Sequence, residues 1–361
     1  MNASSTGILR EDLRDFAGYA SARLQAVDAA IRLDANESPW PSAADVPARL
    51  RCYPEPQPRA LATALAQLHG VAPERVLVTR GSDEGIDLLL RATCVPGRGA
   101  IVTTPPTFGM YAVSARLHGA RVLEVPLLDG GDGFRVDLDA VGDAVLASGA
   151  RLVFLCSPGN PTGDVVPLAG IAALARRMAG SALVVVDEAY GEYAGVASAA
   201  SLPEAADNIV VLRTLSKAHA LAGARIGCVV APPAIVAALR RCQAPYPLPA
   251  PSVAAALAAL APGALARTRA RVRRIRTARD RLAARLRALP AVRRVDASGG
   301  NFLLLRLSDA EAAIARLRAA GIAVRDMRAA PALADAVRAT VGTARQNAAL
   351  FDALAQAGEG A

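Results

Sequence analysis

The sequence predicts an α/β fold, with a large domain built on a mostly parallel sheet flanked by helices and a smaller α+β domain beside it. A chain of 361 residues is longer than one hydrophobic core usually serves. Between about residues 60 and 245, short runs rich in Val, Ile and Leu alternate with Ala- and Leu-rich helical stretches, the pattern of βα units feeding a parallel sheet. After Ala231 the texture changes: Pro232, Pro233, Pro245, Pro247, Pro249 and Pro251 punctuate the chain, and a long Arg-rich helix follows. With 53% hydrophobic but only 4% aromatic residues, the core must be built mainly from Ala, Leu and Val.

The first segment, residues 1–50, reads as an N-terminal arm and part of the small domain. Pro39, Pro41, Pro54, Pro56 and Pro58, spaced across its end and the first residues beyond, exclude regular helix in that stretch and leave the chain extended over a surface. Residues 51–245 form the large domain, with strands predicted at Val76–Thr79, Ala100–Thr103, Arg121–Pro126, Leu152–Cys156, Leu183–Asp187, Ile209–Arg213 and Ile226–Ala231. Several end in polar or glycine-rich turns, and in open α/β sheets ligands bind beyond the carboxyl ends of the strands. Residues 246–361 comprise the linking helix and the small C-terminal domain. In the helix, Leu265, Val272, Ile275, Leu282, Leu286 and Leu289 fall at helical spacings. Beyond it come strands at Phe302–Leu307, Ile322–Arg325 and Arg338–Gly342, and helices at Asp309–Ala320 and Ala344–Ala357.

Several function classes fall away on composition. The stretch through Tyr19 has no apolar run of signal length, and Val253–Ala261 is too short to span a bilayer, so no membrane role is expected. Cys52, Cys94, Cys156, Cys228 and Cys242 are odd in number and lack metal-site spacing, which reads as free thiols in the cytoplasm and no bound metal. The net charge of +9 and the basic run Arg267–Arg287 raise a nucleic-acid partner. Against it, the arginines can occupy the solvated faces of the amphipathic helix, no stacking aromatics are interleaved, and no helix-turn-helix is appended. No G-x-G-x-x-G turn follows the first strand, which disfavours a nicotinamide dehydrogenase.

One compositional fact points to chemistry. Of 41 basic residues all but one are arginine, and the exception is Lys217. Arginine can carry charge in place of lysine but cannot form a Schiff base, because its guanidinium stays protonated. A lone lysine in that background is a candidate for covalent chemistry.

Its neighbours agree. In Leu183-Val-Val-Val-Asp187-Glu-Ala-Tyr190, four apolar residues place a carboxylate at the tip of a buried strand. There Asp187 can pair with a protonated pyridine nitrogen and keep the ring an electron acceptor, while Tyr190 can reach a phenolic oxygen on that ring. In the run from Leu212 to Arg225, Ser216 precedes Lys217 and Arg225 follows eight residues on, a hydroxyl and a planar donor fork suited to phosphate. The turn Ser157-Pro-Gly-Asn160-Pro-Thr-Gly163 can aim the Asn160 amide at the same ring oxygen. Thr79-Arg-Gly81-Ser82-Asp83-Glu84 opens an apolar helix and is by itself as much an ordinary cap as an anion site. Together these pieces point to one cofactor, pyridoxal 5′-phosphate.

With that set in place, the chain resembles the fold-type I aminotransferases, and within them the histidinol-phosphate aminotransferases. The motifs carrying the resemblance are Leu33-Asp-Ala-Asn36-Glu-Ser-Pro, Tyr53-Pro-Glu-Pro-Gln, Arg80-Gly-Ser-Asp-Glu, Pro105-Pro-Thr-Phe108-Gly-Met-Tyr111, Asp187-Glu-Ala-Tyr, Arg213-Thr-Leu-Ser-Lys-Ala and Arg338-Ala-Thr-Val-Gly-Thr. The resemblance implies that Phe108 stacks on the pyridine ring, that Ser82 and Asp83 offer groups at the cofactor phosphate, and that Tyr53 reaches this phosphate from the partner subunit of a homodimer. It also implies that Tyr19, Asn36, Arg325 and Arg338 line the substrate pocket. The implied reaction turns histidinol phosphate and 2-oxoglutarate into imidazole acetol phosphate and glutamate, with Lys217 as the proton carrier. Transamination of aromatic amino acids and decarboxylation of threonine phosphate are the alternatives on the same fold. The sequence departs from the commoner pattern at Phe108, where tyrosine is usual, at His219, where an apolar ring is usual, and at Gly191, where an aliphatic is usual.

Overall fold

A computed structural model describes residues 5–13, 15–19, 31–45, 50–202 and 207–356. Its strands, in chain order, are β1 (Val76–Thr79), β2 (Ala100–Thr103), β3 (Arg121–Glu124), β4 (Leu128–Asp129), β5 (Phe134–Arg135), β6 (Leu152–Cys156), β7 (Leu183–Asp187), β8 (Ile209–Thr214), β9 (Gly227–Val230), β10 (Val292–Val295), β11 (Phe302–Leu307), β12 (Arg325–Asp326) and β13 (Ala336–Thr340). Seven of them form one sheet in the order β1-β9-β8-β7-β6-β2-β3.

The pairs from β3 across to β8 are parallel, and β9 runs antiparallel to both its neighbours. The reversal has a local cause. The 12 residues between Thr214 and Gly227 hold only a 3-10 turn, Ala222–Ala224, and no helix of the kind that usually carries a parallel crossover. Because β9 is reversed against both neighbours, β1, β2, β6, β7 and β8 all point their carboxyl ends to one side.

Every residue of β6 and β7 is buried, as strands covered on both faces require. Side chains alternate between two apolar layers: Val184 and Val186 join one cluster, Leu183 and Val185 the other. Ile8 and Leu9, near the start of the chain, pack into the second layer, held by a hydrogen bond from the Arg10 amide to the Ala92 carbonyl at 2.9 Å.

A 4-stranded antiparallel sheet, in the order β10-β11-β13-β12, forms the smaller lobe. Helices Ala310–Ala319 and Ala344–Ala355, with the C-terminal half of Pro262–Arg287, bury one of its faces. Of the positions its periodicity predicts, Val272, Leu282 and Leu286 are buried along the long helix, Leu289 is buried just past its end, and Leu265 and Ile275 are half-buried. Arg279 is an exception to solvated arginines: it is buried and donates to the Gly300 carbonyl at 3.0 Å.

Two strands differ in position from the sequence reading. The expected strand Ile322–Arg325 is instead Arg325–Asp326, because the Ile322 amide is used to close the preceding helix on the Leu317 carbonyl at 2.8 Å, past a left-handed Gly321. The expected strand Arg338–Gly342 lies at Ala336–Thr340, since the Gly342 amide donates to the Asn347 side chain at 2.8 Å and Thr343 forms the capping box of the last helix with Gln346.

The lobes meet beside the carboxyl ends of the large sheet. Arg294 forks onto the Asp129 carboxylate at 2.8 and 3.1 Å, and Phe134 packs with Leu304, Leu333 and Ala336, so the β4-β5 hairpin lies on the small lobe. The Gly299 amide donates to the Gly163 carbonyl at 2.7 Å and ties the small lobe to the turn after β6.

Candidate active site

The carboxyl ends of β1, β6, β7 and β8 open into one cavity of about 570 Å³ between the lobes. Eleven of the fourteen site residues expected from the sequence line it: Ser82, Asp83, Phe108, Asn160, Asp187, Tyr190, Ser216, Lys217, Arg225, Arg325 and Arg338.

Asp187 ends β7, in register with Cys156 on one side and Leu212 on the other. Its residue exposure is 2%. One carboxylate oxygen accepts the Tyr111 hydroxyl at 2.8 Å and the other accepts the Ala189 amide at 3.1 Å. Burial pushes this carboxyl up to about 6, and the Tyr111 hydrogen bond opposes the rise. Lone pairs remain on both oxygens beyond those two bonds.

Lys217 follows β8, with its amine 5.6 Å from the centre of the Tyr190 ring. Desolvation holds that amine below the usual lysine range, and the nearby Arg338 guanidinium adds to the effect. Burial likewise pushes the Tyr190 phenol up to about 12, against the pull of Arg338. Tyr190 meets Phe302 of the small lobe edge to face, with centroids 5.0 Å apart.

At one end of the cavity the Arg225 guanidinium donates to Ser216 at 3.3 Å and pairs with Asp83 at 3.1 Å. Thr214 donates to the Ser216 hydroxyl at 2.9 Å. Helix Gly81–Thr93 begins here with no cap bond from its N-cap side chain; Glu84 accepts the Arg80 amide at 2.7 Å, and the first N–H groups of the helix itself are available to an anion. Glycine is required for that approach: Gly81 has φ +74, and a Cβ on Gly227 of β9 would stand 2.7 Å from the Gly81 carbonyl carbon and 2.9 Å from the Ser82 amide.

At the other end, Arg325 and Arg338 come from the small lobe. Arg338 donates to the Asn160 side-chain oxygen and lies over the Phe302 ring, 5.4 Å from its centre. The charged lining of Lys217, Arg225, Arg325 and Arg338 against Asp83 and Asp187 leaves an excess of positive charge, with Arg225 at one end and Arg325 and Arg338 at the other.

The remaining three expected residues stand apart from this wall. Tyr53 is half exposed and stacks on Tyr246 with centroids 4.5 Å apart. Tyr19 borders a different cavity beside Arg240 and Arg241, and Asn36 is exposed with a left-handed φ of 54°.

Residues 23–354 match the model of aminotransferase class I and II. The chain belongs to that family. Among relatives, it is 55% identical over 99% of both chains to the histidinol-phosphate aminotransferase of Xanthomonas campestris pv. campestris (strain 8004). It is 55% identical over 98% of both chains to that of Stenotrophomonas maltophilia (strain R551-3). Among solved structures, the histidinol-phosphate aminotransferase from Sinorhizobium meliloti in complex with pyridoxal-5′-phosphate superposes with a TM-score of 0.75 at 28% identity, covering 89% of each chain. The enzyme from Clostridium acetobutylicum shares the fold, with a TM-score of 0.77 at 20% identity over 85% of this chain and 90% of that one.

As an aminotransferase, the chain is a pyridoxal-phosphate-dependent transaminase of fold type I, and the donor set of the cavity suits that cofactor. An uncapped helix start, a hydroxyl and an arginine suit its phosphate; a buried carboxylate raised by desolvation suits a cationic ring nitrogen; the sole lysine stands between them. Sequence reading passed over Tyr111 and Thr214, which hold Asp187 and Ser216 in place. Tyr111 lies three residues beyond Phe108, a spacing that brings the two rings together at 5.6 Å once a helix starts at Met110. Also unforeseen is a buried ion cluster behind the site, where Arg213 donates to Glu188 at 2.7 Å and to Glu192 at 2.6 Å.

Proposed function

We propose that this aminotransferase converts histidinol phosphate and 2-oxoglutarate to imidazole acetol phosphate and glutamate, using pyridoxal 5′-phosphate held by the residues named above. The observation that carries the substrate is the 55% identity over 99% of the chain to a relative of that name. The cavity supports it, because a phosphorylated substrate adds a second anionic group and Arg325 and Arg338 provide a second basic end.

When bound, the cofactor supplies an electron sink and a carrier for the amino group. Ser82, Ser216, Arg225 and the helix start would hold its phosphate, Phe108 would cover one face of its ring, and Asn160 with Tyr190 would face its phenolic oxygen. Asp187 would keep the ring nitrogen protonated. The Lys217 amine, already depressed by desolvation and Arg338, would take the α-proton from the substrate carbon and deliver it to the cofactor carbon that bore the aldehyde, leaving the amino group with the cofactor. Arg325 and Arg338 would orient first the substrate phosphate and later the carboxylate of 2-oxoglutarate, and Arg338 would exchange part of its contact with Asn160 for the anion.

Tyr53, Tyr19 and Asn36 fit the same reading as groups that complete the site of a homodimer, Tyr53 from the neighbouring subunit. Among the described residues no single helix is long and apolar enough to cross a membrane, and the reading places the enzyme in the cytoplasm.

The test is a spectral titration of the cofactor-loaded protein. Histidinol phosphate alone should abolish the visible band of the bound cofactor, and 2-oxoglutarate should restore it. A band that ignores histidinol phosphate but responds to phenylalanine or tyrosine would overturn the substrate, and the lack of any chromophore after loading would overturn the cofactor.

A further inference from the structure

Tyr111 shares with Tyr193 the place of largest fully buried side chain among the described residues, yet it carries a hydroxyl. Its ring is fixed on two sides, stacked on Phe154 at 4.7 Å and meeting the edge of Phe108 at 5.6 Å. The hydroxyl points to one oxygen of Asp187 at 2.8 Å, while the Ala189 amide holds the other at 3.1 Å. A buried phenol so placed costs desolvation unless the bond is made, and the bond is made to the one carboxylate that faces the cavity from a strand tip.

We propose that Tyr111 is a positioning residue for the cofactor: its hydroxyl locks the rotation of the Asp187 carboxylate and keeps it anionic before the cofactor arrives, and its ring couples that carboxylate to Phe108. This rests on the reading that Asp187 meets the cofactor ring nitrogen. The Asp187 surroundings explain why a donor is needed. Cys156 lies beside it as a neutral thiol, held up by burial, and Asp83 and Glu188 add negative charge that works against ionisation. Lys217 interacts favourably with the carboxylate, while Tyr190 nearby is itself held neutral by burial. Tyr111 and the Ala189 amide are then the hydrogen-bond donors that favour its charged form directly.

The consequence is a dependence on pH that a packing role would not produce. Where Asp187 is charged before and after binding, the hydroxyl stabilises both states and its removal changes affinity little. Below that range the carboxyl must lose a proton for the cofactor to bind, and the missing donor makes this harder.

The experiment measures equilibrium binding of pyridoxamine 5′-phosphate, which has no aldehyde to condense with Lys217, from about pH 5.5 to about pH 9. In Tyr111→Phe the ring contacts remain, and affinity should fall about tenfold or more on the acid side while staying within about threefold at the alkaline end, the size expected of a hydrogen bond to a charged group. Site-specific replacement of Tyr111 by 3-fluorotyrosine, which keeps ring and hydroxyl but strengthens the donor, should move the acid limb the other way. Asp187→Asn separates the two ideas. If Asp187→Asn binds like wild type at every pH, the reading of Asp187 fails. If Asp187→Asn loses affinity while Tyr111→Phe changes nothing, or loses affinity equally at all pH values, or if the fluorinated protein shows no shift, the role of Tyr111 is overturned.

Discussion

Removing the charge at Asp187 should stabilise the cofactor-free protein while harming its function, and the structure sets the size of the gain. The carboxyl sits at about 6 instead of 3.8, chiefly because it is buried. That rise corresponds to about 3 kcal/mol. A carboxyl raised in the folded state binds a proton that the unfolded chain releases first. The cofactor-free protein is therefore unpenalised below about pH 4, loses stability as pH climbs from there through about 6, and carries the full penalty above. Asparagine has the same shape and cannot ionise. Its carbonyl can accept the Ala189 amide and its NH₂ can donate to the Tyr111 oxygen, so the local hydrogen bonds survive in altered sense. Cofactor-free Asp187→Asn should thus exceed cofactor-free wild type by up to about 3 kcal/mol near pH 8 and differ little near pH 4. Urea unfolding of both proteins at several pH values reads the difference directly. Saturating pyridoxal phosphate should reverse the order near pH 8, because only the carboxylate gains a cationic partner. A variant no more stable than wild type near pH 8, or one whose advantage does not shrink toward pH 4, would refute the placement of a strained, cation-seeking carboxylate at the tip of β7.

Two further substitutions test the other end of the constellation. Lys217→Arg keeps the charge but removes the only amine able to condense with the cofactor and carry the proton, so transamination should fall by at least about a thousandfold; borohydride treatment of the loaded wild type should label a single peptide, and labelling that persists in Lys217→Arg would contradict the assignment. Gly81→Ala would put a Cβ 2.6 Å from an Arg225 nitrogen at a φ of +74, displacing the guanidinium from Ser216 and Asp83. Cofactor affinity should drop about tenfold or more, equivalent to about 1.4 kcal/mol. Gly70→Ala, with a similar φ of +66 but nothing within 4 Å, should share the backbone strain and leave cofactor affinity alone, and equal losses in both variants would show that strain rather than Arg225 is responsible.

What could be read from the sequence is what chemistry writes locally. Asp187, Lys217 and Asn160 each follow a short apolar run, and a strand of about five buried residues fixes where the next side chain emerges without reference to the rest of the chain. Arg338 could be guessed only by likeness, since its partner Asn160 is 178 residues away and nearly every basic residue in the chain is an arginine. Tyr111 stands at the end of the motif Pro105–Tyr111, yet its role was hidden for a related reason: a tyrosine in the first turn of an apolar helix reads as core, and only the closure of a contact across 76 residues makes it part of the site. The departures at Gly191 and His219 also acquire a shared cause. A Cβ at Gly191 would collide with Arg213, which is buried against Glu188 and Glu192, and the His219 ring lies 3.9 Å from that same Glu192 carboxylate. The glycine therefore makes room for an ion cluster that the histidine borders, and two positions that look like unrelated oddities along the chain are neighbours around one buried arginine.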